Sequence, residues 1–226
     1  DTINGYTTGQ VVLNSVSATV TELAAIEALN DNVMKFADDG AISVSDAATK
    51  ANADTINNYT TGQVTLTTVE DTLANITAID ALTTTQVSMA AAAVTVTNAV
   101  TKANADTLNG YTTGQVTLNS VADTVANITL IDALTTTQVS MAAAAVSITD
   151  TGATKTQVDA VNLFTTGTVT PTSISEDRAD IDTLSTTSGV SIATTDITVT
   201  DQVSKSQADT INGYTTGQVV LNSVSA

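Results

Sequence analysis

The sequence predicts an α/β solenoid of four units of about 52 residues, each with two short helices and two to three short strands, stacked as an elongated rod. Three observations carry this expectation. First, the motif DTINGYTTGQV at Asp1 recurs as DTINNYTTGQV at Asp54, DTLNGYTTGQV at Asp106, a worn DAVNLFTTGTV at Asp159, and intact at Asp209, at spacings of 53, 52, 53 and 50 residues. A fixed period near 50 marks stacked units that bury their apolar faces against neighbours. Second, Asp209–Ala226 repeats Asp1–Ala18 without a change, so residues 1–226 read as one continuous array with units starting near 1, 54, 106 and 159, and a fifth beginning at 209. Third, each unit divides into two halves, and each half passes from β-branched alternation into helical spacing.

The elements follow in order. Gln63–Leu66, Gln86–Met89 and Val94–Thr97 alternate as short strands. Val121, Val125, Ile128, Ile131 and Leu134 recur at steps of three and four, one face of a helix, while Ala48, Ala51, Ile56 and Tyr59 trace a weaker stripe. Ser120-x-x-Asp123 and Thr68-x-x-Asp71 read as capping-box starts. Asp46, Asp150 and Asp201 close strand-like runs and read as caps of the other helix. Gly5, Gly110 and Gly213, with Asn58 once in their place, stand where a left-handed C-cap is expected. Thr-Thr-Gly then turns the chain into the next strand, with Gly9, Gly62, Gly114, Gly167 and Gly217 as pivots. Helices placed on both sides of the sheet would keep the stack straight. Helices on one face would curve it, and right-handed crossovers favour that arrangement if every strand is parallel. A strand that reverses direction in the second half would rescue the straight version.

Composition narrows function. With 23 acidic and 6 basic residues the net charge is −17, which excludes nucleic acid as a partner and keeps the chain off anionic membranes. No stretch is long and apolar enough for direct membrane insertion. Cys, His and Trp are absent, so thiolate, imidazole and disulfide chemistry are excluded. The carboxylate pairs Glu176-Asp177 and Asp38-Asp39 could in principle serve as acid and base, but near-copies recur one unit away, whereas an active site needs one unique pocket. The sequence therefore reads as non-enzymatic, with no catalytic residue and no certain cofactor.

Rows of like residues remain. Glu27, Asp80, Asp132 and Asp182 form one acidic row, counted back from the Leu that ends the first helix, and are the candidate metal ligands. Asp71, Asp123 and Glu176 form a second row in the first turn, and Asp54, Asp106, Asp159 and Asp209 a third. Ca²⁺ is the cation such rows would take, against helix caps and solvated faces as the plainer reading; the usual Ca²⁺ loop motifs are missing. Lys50, Lys102, Lys155 and Lys205 each precede a third-row Asp by four residues, as charge relief. Tyr6, Tyr59, Tyr111 and Tyr214, with Phe164 in the worn copy, read as packing residues rather than a carbohydrate platform. VTVT at 94–97 and ITVT at 197–200 put Thr on one strand face, an ice-binding pattern that VVL, VSM and VSI interrupt elsewhere.

The phrases VxDTxANIxxIDAL, ISVSDAATKANADTIN and TTGQVTL resemble the "β-strand repeat" regions of very large secreted adhesin-like proteins of proteobacteria and cyanobacteria. They are also similar to the giant acidic, Cys-free surface proteins of swimming marine cyanobacteria. The resemblance implies a secreted bacterial protein, extracellular or at the cell surface, with a structural role in a filament or stalk. The alternative it implies is a Ca²⁺-dependent adhesin stalk or binding array that presents a tip domain. The expected partners are copies of the same chain, head to tail, because an unpaired sheet edge is a template for another strand.

Overall fold

A computed structural model describes residues 8–29, 33–84, 86–136 and 138–225. The chain is mixed α/β, with eight α-helices and twelve strands among the described residues. It divides into two compact units, Asp1–Asn98 with Asp106–Thr117, and Ala99–Ala105 with Leu118–Ala226.

In the first unit β1 (Val11–Ala18), β2 (Met34–Ala48), β3 (Val64–Asp71) and β5 (Ala93–Val100) lie side by side in chain order, with the two-residue β4 (Val87–Ser88) also on β3. The helices α1 (Val20–Glu27), α2 (Lys50–Asn57) and α3 (Leu73–Asp80) connect them, and α4 (Lys102–Tyr111) follows β5. In the second unit β6 (Val116–Asp123), β8 (Ala145–Ile148) and β9 (Val169–Pro171) lie in order, with β7 (Val139–Ser140) on β6. A second sheet holds β10 (Ser173–Glu176), β11 (Asp196–Ser204) and β12 (Val219–Ser225). The helices there are α5 (Val125–Asp132), α6 (Lys155–Asn162), α7 (Arg178–Thr186) and α8 (Lys205–Asn212). Proline has no N–H to give to a ladder, and Pro171 stands where β9 ends.

The strand-like runs around 64, 87 and 94 are strands, and two helices alternate with them as the periodicity predicts. Every described ladder is parallel, so no strand in a described ladder reverses. Consecutive helices touch: α2 packs on α1 and α3 in the first unit, and α6 on α5 and α7, then α7 on α8, in the second. Helices on opposite faces of a sheet are too far apart to touch. Each unit therefore carries these helices on one side of its strands, the second of the two arrangements that the sequence leaves open. The core lies between them. Val64, Leu66 and Val69 of β3 face Ile76 and Ile79 of α3, all at most 1% exposed, while Thr65 and Thr67 point outward.

Several local expectations are corrected. Ser120 and Thr68 lie inside β6 and β3; the N-caps are Thr124 and Thr72, four residues later. Thr19, Thr49, Thr154 and Ser204 form reciprocal capping boxes with Glu22, Asn52, Gln157 and Gln207. Val121 belongs to β6 rather than to the helix, and α2 buries Ala53 and Ile56 while Ala51 is exposed. Asn58 and Gly213 cap their helices in the right-handed region, at φ −82° and −76°, and Gly110 lies within α4. Left-handed glycines among the described residues are Gly152 and Gly189 alone. Gly5 and Tyr6 lie outside the described residues.

Candidate functional site

The recurrent chemistry of this chain is a clasp made by Thr-Thr-Gly. Between β4 and β5 the chain makes a tight turn of small residues, Ala90–Ala92, and the next Thr-Thr-Gly lands on it. Thr112 Oγ1 donates to Ala92 O at 2.6 Å and accepts from the Gly114 N–H at 2.9 Å. Thr113 donates to Ala90 O from both its N–H (2.8 Å) and its hydroxyl (3.0 Å). Thr60 with Gly40, Thr165 with Ala144 and Thr215 with Thr195 repeat the buried bond at 2.6–2.7 Å. Thr61, Thr166 and Thr216 repeat the second on Asp38, Ala142 and Ala193. The glycine follows from close approach rather than from a turn conformation. A Cβ on Gly62, Gly114, Gly167 or Gly217 would stand 2.1–2.4 Å from a backbone carbonyl oxygen of that turn. The run Ser88–Val94 is thus a dock, with Met89 and Ala92 fully buried. Its signal in the sequence is the pairing of a small-residue run with Thr-Thr-Gly about 20 residues later.

The acidic rows do different work from that expected. Asp71 and Asp123 end strands, as does Glu176, and each reaches to the helix that precedes its strand. The Lys50 N–H donates to Asp71, the Lys102 N–H to Asp123 and the Lys155 N–H to Glu176, at 2.5–2.9 Å. Asp46, Asp150 and Asp201 accept from the first N–H of α1, α5 and α7, and Asn98 serves α3. Each carboxylate satisfies an orphan donor at the positive end of a helix dipole. The sequence reading puts Asp71, Asp123 and Glu176 in the first turn of a helix, but they end strands, and each of these acids caps the helix before it.

The candidate metal row does not hold together as one position. Glu27, Asp80 and Asp132 end α1, α3 and α5, eight residues after the N-caps Thr19, Thr72 and Thr124. Asp182 lies only five residues after its N-cap, Asp177. Arg178 pairs with Asp182 at 2.7 Å, and the Tyr214 hydroxyl donates to it at 3.0 Å. Among the described residues no group of three Asp or Glu stands close enough to hold a metal ion. Lys50 and Lys205 pair with Asp54 and Asp209 at 2.6 Å, and Lys155 pairs with Asp159, as the spacing predicts. That hydrogen bond raises the Lys155 pKa. Of the acid pairs, Asp38 and Asp39 are exposed, Glu176 caps α6 and Asp177 caps α7.

Tyr59 stacks on Phe36 with ring centres 5.8 Å apart, and burial raises its pKa, with the Glu27 charge adding to the shift. The Tyr111 hydroxyl lies 3.4 Å from Thr77 Oγ1, so this row packs and also ties one helix to another. In VTVT and ITVT the Val and Ile residues are buried, and the Thr residues face outward.

Burial pushes the Asp71 and Asp123 carboxyls up, but three hydrogen bonds to each outweigh it. Lys50, Asn75 and Thr72 serve the first; Lys102, Asn127 and Thr124 serve the second. Both pKa values end below the ordinary 3.8. Glu22 is lowered by its bonds to the Thr19 backbone and hydroxyl, whereas Asp80 is raised by burial alone. A depressed folded pKa gives stability that is present above the unfolded value and lost as pH falls through the folded one. Asp80 acts in the opposite sense. Urea midpoints should therefore fall as pH drops below about 4, and Asp123→Asn should flatten that fall.

No protein-family model, curated protein or solved structure matches this chain. No helix among the described residues is long and apolar enough to cross a membrane.

Proposed function

We propose that the chain is a structural repeat segment, an α/β solenoid of four units of about 52 residues, within an extracellular or cell-surface filament or stalk. The observation that carries this reading is the clasp, repeated with the same atoms at Thr60, Thr112, Thr165 and Thr215. Repetition of one bond set along a chain builds an object whose stability grows with length. Many of the polar residues that could have formed a site are committed to this framework: Asp71, Asp123 and Asp150 cap helices, Asp182 pairs with Arg178, and the Thr hydroxyls close the clasps. The role is mechanical and non-catalytic. The extracellular setting rests on the resemblance of the repeat phrases to secreted surface arrays.

Electron microscopy of the native material tests the reading. Filaments with an axial repeat near 40 Å are expected, eight strand spacings for each 208-residue period. Discrete compact particles would overturn it. Chelation separates this role from the Ca²⁺-dependent stalk. With Asp71, Asp123, Asp150 and Glu176 already accepting hydrogen bonds from helix N–H groups, EDTA should leave the melting temperature unchanged, whereas a drop of about 5 °C or more would favour the Ca²⁺-dependent reading.

A further inference from the structure

Departures from the repeat around the fourth unit gather at one place. Ala41 and Asp196 stand eight residues before the helix caps Thr49 and Ser204, but Ala145 stands nine before its cap Thr154. The extra residue falls at Thr151-Gly152, where Gly152 takes φ +67°. The Gly152 N–H donates to Ser173 Oγ at 2.7 Å, and a Cβ added there would stand 3.2 Å from that of Ser175. The inserted turn therefore rests beside the face of β10 that carries Ser173 and Ser175. That face is the outer one. Ile174 and Ile197 are buried toward the helices, while Ser173 and Ser175, paired with Asp196 and Thr198, alternate with them on the other side. Asp196 is itself a departure, for Ala93 and Ala145 hold its place in the two units before. Pro171 is another, where those units have Leu66 and Leu118. The buried Thr195 hydroxyl donates to Pro171 O at 2.7 Å, which fixes the backbone on which Asp196 stands.

The consequence is a cleft. At the equivalent place one unit earlier, over Ser120, Ala145 and Ser147, the outer face has a hollow of about 140 Å³. Over Ser173, Ser175, Asp196 and Thr198, with Thr151 and Gly152 as a wall, the space is about 710 Å³. That lies within the size range of small-molecule sites. The polar groups of the cleft are only partly used. Ser173 accepts from Gly152 and donates to Asp150 O at 3.5 Å, and Asp196 Oδ1 accepts from the Gln218 N–H at 2.7 Å. The other Asp196 oxygen and the hydroxyls of Thr151, Ser175 and Thr198 have no hydrogen-bond partner among the described residues.

The lining selects the class of ligand. No basic residue lines the cleft and the chain carries a net charge of −17, so an anion is repelled. One carboxylate among hydroxyls brings too little charge to hold a divalent cation. An apolar ligand would bury these hydroxyls without partners. What remains is a neutral ligand dense in groups that both donate and accept, since hydroxyls do both and a carboxylate accepts. We propose that the cleft binds a neutral carbohydrate, with Asp196 accepting from ligand hydroxyls and Thr151, Ser175 and Thr198 completing the set. The site lies within one compact unit, so it stands or falls apart from the array reading.

Amide spectra of the isotope-labelled full chain test it. The probes are the methyl glycosides of glucose, galactose, mannose and fucose, and the soluble polysaccharides dextran and mannan, each added to saturation or to its solubility limit. The expected result is a saturable shift of the amides at 151–152, 173–175 and 196–198 with at least one probe. A glycoside that shifts them identifies a single ring as the ligand. A polysaccharide that alone shifts them identifies an internal stretch of sugar chain, and either outcome supports the site. Asp196→Asn keeps the acceptor for Gln218 and should weaken binding about tenfold, through the loss of a charge-assisted hydrogen bond. Asp39→Asn removes the same charge from an exposed turn of the other compact unit and should leave binding unchanged. Deletion of Thr151 restores the eight-residue spacing and should abolish binding while circular dichroism stays native; if that variant unfolds, Asp196→Asn still decides. No shift at these amides with any probe would overturn the proposal, as would undiminished affinity in Asp196→Asn. A shift at the same amides with CaCl₂ and with no sugar would overturn it in favour of a cation.

Discussion

Gly114→Ala is expected to destabilise the protein by about 3 kcal/mol, the upper end of what overpacking costs. The added Cβ would sit 2.2 Å from Ala92 O and 2.6 Å from the carbonyl carbon, and a backbone carbonyl held in a turn has no rotamer through which to move away. The motif carries its own control. Gly110 lies four residues earlier, inside α4, with nothing within 4 Å of its added Cβ. Gly110→Ala should therefore stabilise by about 0.5–1 kcal/mol, the ordinary gain from replacing glycine within a helix. Urea unfolding read by hydrogen exchange at residues 86–118 would measure both. Equal and small effects would mean that the clasp yields easily, and the account of its glycine would be wrong.

Thr112→Val is expected to cost about 2 kcal/mol, while Thr112→Ser should cost less than half of that. Thr112 is 4% exposed, and its hydroxyl serves two backbone groups at once, the Ala92 carbonyl and the Gly114 N–H. Valine keeps the volume and leaves both groups buried without that partner, and the penalty lies in what remains unpaired. Serine keeps the bond and loses only a methyl group. Melting curves of the two variants decide the matter. If serine and valine are equally damaging, the methyl packing, rather than the hydrogen bonds, holds the turn.

The strand-and-helix alternation is legible because it rests on local periodicity: Val64, Leu66 and Val69 alternate on a strand, and Ile128 and Ile131 step along a helix face. What is illegible is whatever one pass of chain does for the next. Ser120-x-x-Asp123 has the form of a local cap, yet Asp123 reaches back to Lys102, 21 residues away, and Thr124 does the local capping. The Thr-Thr-Gly glycines read as turn pivots, because nothing nearby in sequence reveals a carbonyl 2.2 Å from the missing Cβ. A count back from the terminal Leu puts Asp182 in the wrong row. Counted forward from the cap Asp177, it falls three positions short of Glu27, Asp80 and Asp132. The one-sided helices were equally hidden, because they depend on every ladder being parallel.

The caps of α1 to α7 come from 21 to 26 residues later in the chain. Read along the direction of synthesis, this imposes an order in time. A helix that has just emerged from the ribosome still lacks the acceptor for its first amide, and the residue that supplies it has yet to be made. At roughly 5–20 residues per second, each helix waits one to a few seconds before the next strand arrives and closes it. The newest pass is always the loosest, and the passes behind it are already complete, so the chain locks progressively from its N-terminal side, one pass behind the point of synthesis.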